Sequence, residues 1–276
     1  MSGRGSSDHV HMVTRRLRSR CEAIYGSVFD TPEATSGARG LSPTQWYMAG
    51  RSAPLGPVSV EVATAVFGTF NPRLVYDGLN GVWSLVSPED MVALKLESAV
   101  AVLAGLVPTG GSGLDRAITL LSRALESAEV AGHPLYAALS ALPRPRSPVA
   151  QLWRLCDMVR EHRSDAHVSA WRSFGFDPVE INVLNELWRE QPVGSIACVL
   201  MGWPVSDVEA GARRLAARGL VASGAITPSG RDVREEVERV TSAQQSSVVA
   251  ALGEDAGELI GLLDPWARAV VAGHGG

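Results

Sequence analysis

The chain has 276 residues, 46% apolar and 20% charged, which is enough to bury a sizeable core and too apolar for a disordered chain. Its 25 basic and 29 acidic side chains leave a formal charge of −4, excluding a generic basic nucleic-acid coat while allowing a local basic face. No apolar run reaches the roughly 18 residues of a membrane span, and the first residues lack the apolar core of a secretory signal.

Three widely spaced cysteines, Cys21, Cys156 and Cys198, form no C-x-x-C pair and fit buried thiols in a reducing cytoplasm better than disulfides or a zinc site. Lys95 is the only lysine; arginine supplies every other basic side chain, a bias that speaks of GC-rich coding rather than of mechanism.

One start signal recurs, a capping residue followed by proline: Asn71-Pro72, Ser87-Pro88, Ser147-Pro148, Asp177-Pro178 and Thr227-Pro228. Proline's fixed φ suits the first helical position, where its missing N–H costs nothing. The patterning predicts helices near 9–28, 43–50, 57–69, 72–79, 88–106, 113–130 and 134–141. The stretch Pro143 to Pro148 cannot continue a helix and is the candidate boundary between an N-terminal helical domain, 1–142, and a C-terminal domain, 148–276. Beyond it, helices are predicted near 148–163, 165–173, 178–190, 193–201, 204–218, 228–245 and 254–271. The last of these, apolar on one side, suits packing against the first helix or against a second subunit in a homodimer.

Only Gly219 to Thr227 asks for β-structure, as two short strands turning at Ser223-Gly224. Helix, helix, two-stranded wing, helix is the winged helix-turn-helix arrangement, placed at about 178–245. The expected fold is therefore mainly α, an N-terminal helical domain compatible with a degenerate helix-turn-helix, followed by a winged helix. A recognition helix meets phosphates and base edges with its first turns, and here those turns carry Val205, Ser206, Asp207 and Glu209. Two carboxylates facing phosphates are repulsive and nothing there suits base reading, so charge placement disfavours DNA. Arg213, Arg214, Arg218, Arg231 and Arg234 lie at the far end or after the wing.

Several separated segments carry a family resemblance: Gly50 to Val58, Phe70-Asn71-Pro72, Val82-Trp83-Ser84, Arg160 to His167, Met201-Gly202-Trp203 and Leu263 to Arg268. In that order, across nearly the whole chain, they resemble the actinobacterial SalK-like helix-turn-helix proteins. The resemblance implies a winged-helix second half and a setting among natural-product genes. The family's usual H-R-G-D-G-H run is here His162, Arg163, Ser164, Asp165, Ala166, His167, with Ser164 and Ala166 where glycines are common.

That run is also the richest constellation on chemical grounds. Leu152, Leu155 and Val159 form a core-facing stripe that His162 extends, Asp165 is three residues on, and Arg163 and His167 are neighbours at i, i+4. As an acid–base cluster, His162 or His167 transfers the proton, Asp165 orients the ring and Arg163 holds an anion. The bland alternative is a helix-terminal network of satisfied polar groups. Two histidines five residues apart diverge on a helix and no third ligand has the spacing, so no metal is expected.

Arg51, between Gly50 and Gly56-Pro57, either anchors a carboxylate or phosphate beside a helix N-terminus or ties a loop to a neighbouring helix. Trp46, Trp83 and Trp153 share segments with the polar motifs and suit either core anchoring or the wall of a pocket for an anionic or aromatic ligand. No cofactor-binding fingerprint is present. The reading favoured is a small-molecule enzyme or ligand-binding protein using cofactor-independent acid/base chemistry (cyclisation, dehydration or isomerisation) in a pocket between the two halves. The alternative is a ligand-responsive, MarR-like winged-helix DNA-binding regulator.

Overall fold

Helices begin where the sequence places caps. Ser42, Ser59, Asn71, Ser87, Ser147, Asp177 and Thr227 each accept a hydrogen bond from a backbone N–H of the first turn, each such cap being worth about 1 kcal/mol. In the computed structural model, which describes residues 2–31, 40–108 and 112–273, these starts define most of the architecture. The first half comprises α1 (Ser2–Gly26), α2 (Pro43–Ser52), α3 (Val60–Phe67), α4 (Pro72–Leu79), α5 (Pro88–Leu103), α6 (Ser112–Glu126) and α7 (Pro134–Ser140). There follow α8 (Pro148–Ser173), α9 (Pro178–Trp188), α10 (Val205–Ala217), β1 (Val221–Ala222), β2 (Ala225–Ile226), α11 (Pro228–Ala243), α12 (Ser246–Leu252) and α13 (Ala256–Gly273).

The protein is mainly helical, with a C-terminal winged helix-turn-helix as expected. β1 and β2 pair antiparallel, Val221 with Ile226 and Ala222 with Ala225. Ser223 and Gly224 both have positive φ, 48° and 76°, the backbone that a tight two-residue hairpin turn requires.

Three expectations need correction. The helices expected at 148–163 and 165–173 are one helix, α8, because Ser164 and Ala166 put no glycine or proline in its path. The polar run therefore lies inside a long helix and not at its end. The helix expected at 193–201 is a series of turns. Its backbone winds around the buried Glu186 carboxylate, which accepts from the N–H groups of Gly194 (2.8 Å), Ile196 (2.6 Å) and Ala197 (2.6 Å). Finally, the helix expected at 228–245 stops at Ala243, and α12 starts separately at Ser246.

Two apolar cores result. The larger gathers α1 through α7 and the first turns of α8 with α12 and α13. The smaller packs α9, α10, the wing and α11 around Phe176, Val183, Leu184, Leu215 and Val237. α8 belongs to both, with Trp153 in the first and Trp171 in the second, about 27 Å apart along the helix axis. The last helix lies along the first, where Arg20 pairs with Asp264 at 2.8 Å. Among the described residues, no helix is long and apolar enough to cross a membrane.

A second junction ties the winged helix to the first half. The Thr69 carbonyl accepts from Asn182 Nδ2 at 3.0 Å and from Trp203 Nε1 at 2.9 Å, while the Asn71 N–H donates to the Met201 carbonyl at 2.8 Å. Gly202 has φ +73°, and a Cβ there would sit 3.0 Å from the Leu74 side chain, so this turn takes glycine for both backbone and space.

Candidate functional site

α8 sends its polar side chains to three different neighbours, because successive residues rotate by about 100° around a helix. Toward α2 and α5 it presents Asp157, Arg160, Glu161 and Ser164. Arg51 makes a two-pronged pair with Glu161, with Nε–Oε1 and Nη2–Oε2 both 2.9 Å, and its Nη2 donates to Ser164 Oγ at 2.7 Å. Its guanidinium also lies 4.6 Å from the Phe67 ring centroid. Arg160 donates to Glu161 Oε1 at 2.7 Å and covers the Tyr25 ring at 3.9 Å. Lys95 donates to the Gly50 carbonyl at 3.1 Å and lies 3.7 Å from Asp157. Burial alone would raise the Glu161 carboxyl; Arg160 and Arg51 outweigh it and hold the group at about 2. Arg51 thus joins the end of α2 to α8 through Glu161 and Ser164.

Toward α7, α8 presents His162 and Asp165. The fully buried His162 ring stacks on His133, centroids 4.0 Å apart and planes 2° from parallel, with Tyr136 edge-on at 5.0 Å. Burial, then the neighbouring His133, push His162 down to about 4, so the ring is neutral at neutral pH. Asp165 accepts the Tyr136 N–H at 3.1 Å. It thereby caps α7, whose N-cap residue, His133, supplies no side-chain cap. Burial raises Asp165 to about 7. The structure brings His162 and Asp165 to the same helix start, with the carboxylate holding that helix rather than the imidazole.

Toward α11, α8 presents Arg163 and His167. Arg163 bonds Glu238 Oε2 at 2.5 Å and lies 3.3 Å from both Ser242 Oγ and Gln245 Oε1. Arg234 bonds the other Glu238 oxygen at 2.7 Å. Burial would raise Glu238, but Arg234 and Arg163 hold it well below the usual carboxylate range. The half-buried His167 shares a 3.1 Å contact between Nδ1 and Thr241 Oγ1, and burial with the nearby Arg234 lowers it to about 3. Gln245, 3.5 Å from His162 Nδ1, joins this face to the previous one. His162, Arg163, Asp165 and His167 therefore leave α8 on different faces, and Arg51 meets it from α2 on a further one, without converging on one point.

Of the three tryptophans singled out, Trp153 touches a charged cluster: it stacks on Tyr25 at 5.6 Å and lies 5.5 Å from Lys95 Nζ. Trp46 and Trp83 pack in the larger core. From sequence, Lys95 and Glu238 had no role, and Glu161 entered only as a member of the Arg160 to His167 run. The one available signal was Lys95 itself, a lone lysine among Met91, Ser98 and Ala99 on the buried side of α5.

A cleft of about 280 Å³ opens between α6, α7, the 142–145 loop and the first turns of α8. Leu125, Leu139, Leu155 and Met158 give it apolar walls, and Tyr136, whose ring meets His162, stands beside them. Arg154 also lines it and is 6% exposed. Nothing in the sequence set this arginine apart from the others on α8.

On the winged helix, Asp207 and Glu209 are exposed at the start of α10. Arg214 and Arg218 fold back on the start of α9, at 2.6 Å from Asp177 and 3.5 Å from Glu180. Arg213 and Arg231 stay exposed. Val199, Leu200 and Val205 stand 75%, 58% and 64% exposed along the approach to α10.

A family model described as a helix-turn-helix family matches residues 14–275. No curated protein and no solved structure matches the chain.

Proposed function

The chain belongs to this helix-turn-helix family, and from that premise we propose that it is a small-molecule-binding protein holding its ligand in the cleft between α6, α7 and α8, with the winged helix as a packing module rather than a base reader. The cleft carries this reading: it is walled by apolar side chains and lies on the one helix that continues into the second core. The surface of α10 supports its other half. Two exposed carboxylates stand on the first turns of α10 with three exposed apolar side chains on its approach, a surface that repels rather than attracts phosphates, and two of the arginines are occupied by Asp177 and Glu180. The SalK-like resemblance supports a ligand from actinobacterial natural-product metabolism.

Native mass spectrometry of the intact protein, incubated with a small-molecule extract of its source culture, tests the reading. A bound species is expected, and Ser140→Trp, at the exposed edge of the cleft, is expected to lose it. The competing regulator reading predicts salt-sensitive binding to duplex DNA upstream of its own operon, weakened by Arg213→Ala with Arg231→Ala. That outcome, with no bound small molecule, would replace the proposal.

A second reading, cofactor-independent proton transfer, is favoured by Asp165. Among the described residues one of its oxygens is buried without a hydrogen-bond partner, and burial raises its carboxyl to about 7, the range that general acid–base catalysis uses. Turnover of the bound species that Asp165→Asn abolishes while the protein stays folded would support it; His162→Ala and His167→Ala locate the second proton-transfer group.

A further inference from the structure

Arg154 is a charge that the fold has buried with no counter-ion in contact among the described residues. It is 6% exposed, and among the described residues it makes no hydrogen bond or ion pair, its Nε being shut off from both water and partners. Asp157, three residues on, favours the Arg154 charge through space but makes no ion pair with it, lying instead 3.7 Å from Lys95 and from Arg160. Arg144, on the loop across the cleft, gives its guanidinium to Gln151 Oε1 at 2.9 and 3.1 Å. Glu126, also on the cleft lining, is exposed and forms no pair with Arg154. A buried guanidinium costs several kcal/mol unless an anion meets it, and this one lines the cleft.

Resting on the ligand-binding reading above, we propose that the cleft takes an amphiphilic monocarboxylate, its carboxylate paired with Arg154 and its apolar body lying along Leu125, Leu139, Leu155 and Met158. A planar guanidinium matches a carboxylate with two parallel hydrogen bonds. Arg154 is the buried cation of the lining, while Arg144 stands exposed on the loop with its guanidinium on the neutral Gln151 amide, so the buried end suits a single negative charge. The apolar walls demand a hydrocarbon or aromatic body, since a small polar anion would leave them wet. Glu126 at the rim disfavours a second carboxylate at the open end.

Calorimetric titration of the full chain with octanoate, 1-octanol and acetate separates the charge from the tail. Octanoate is expected to bind about tenfold or more tighter than octanol, the usual scale of a charge-assisted pair, with acetate too weak to register. Arg154→Gln is expected to erase the preference and keep octanol binding, and Glu126→Gln, an exposed change that leaves the core untouched, to tighten octanoate alone. Equal binding of octanoate and octanol, or a preference surviving Arg154→Gln, overturns the carboxylate assignment while leaving the cleft as a ligand site. Absence of binding by all three probes, with no species captured from the extract, overturns both.

Discussion

Arg51 and Arg154 are buried to the same degree, each 6% exposed, yet they live in opposite circumstances. Arg51 has both forks filled by Glu161, a third contact from Ser164 and an aromatic face above it. Arg154 has an apolar cleft and no counter-charge in contact. The contrast separates two uses of a buried cation. A filled one locks elements together, here α2 to α8 across 110 residues of sequence. An unfilled one carries a desolvation cost that folding alone does not offset, which makes it a mark of binding.

The largest test breaks the filled pair. Glu161→Gln leaves Arg51 and Arg160 without their shared carboxylate, and denaturant unfolding is expected to show a loss of about 3–5 kcal/mol. The same carboxyl sets an acid limit. Its folded value of about 2 lies below the ordinary glutamate value, so its stabilisation is complete above about pH 4.3 and disappears as pH falls through 2. His162 adds to this at milder acidity. Held at about 4 when folded, it stabilises fully above its ordinary value near 6.5 and less as pH drops toward 4. The linkage is worth up to about 3 kcal/mol. Asp165 works against it: raised to about 7, it favours folding most below its ordinary value near 4 and progressively less as pH climbs to 7. Stability of Asp165→Asn is thus expected to fall more steeply than wild type between pH 7 and 4, and that of His162→Gln less steeply.

Smaller effects sharpen the comparison from the other side. Arg154→Met, in the absence of ligand, is expected to be neutral or to raise stability by about 1 kcal/mol, since it removes an uncompensated charge from an apolar wall. A loss comparable to that of Glu161→Gln would show that Arg154 is structural after all. Smallest of all, Arg116→Ala is expected to cost less than about 1 kcal/mol, although Arg116 pairs with both Asp255 and Glu258, because all three side chains are solvated.

What the sequence conveyed follows the range of the forces involved. Caps are local, so Ser147-Pro148, Asp177-Pro178 and Thr227-Pro228 marked true helix starts. The wing was legible because Ser223-Gly224 can scarcely do anything but turn. The continuity of α8 was harder, since a dense polar run inside a helix has the composition of a helix end. Its partners were beyond reach. Glu161 meets Arg51, Arg163 meets Glu238 and Asp165 caps a helix that lacked its own cap, each through contacts spanning 29 or more residues. The turns at 193–201 were misread for the same reason, their backbone being organised by the carboxylate of Glu186 on the preceding helix.

The Thr69 carbonyl, gripped by Asn182 and Trp203, has a mechanical consequence. α8 holds the winged helix on one side and this oxygen latches another, while α11 also packs on α1, where His11 Nδ1 meets Ser242 Oγ at 3.0 Å. A swing of the winged helix away from the first half would have to give up the Asn182 and Trp203 bonds to Thr69 together with the contact on α1.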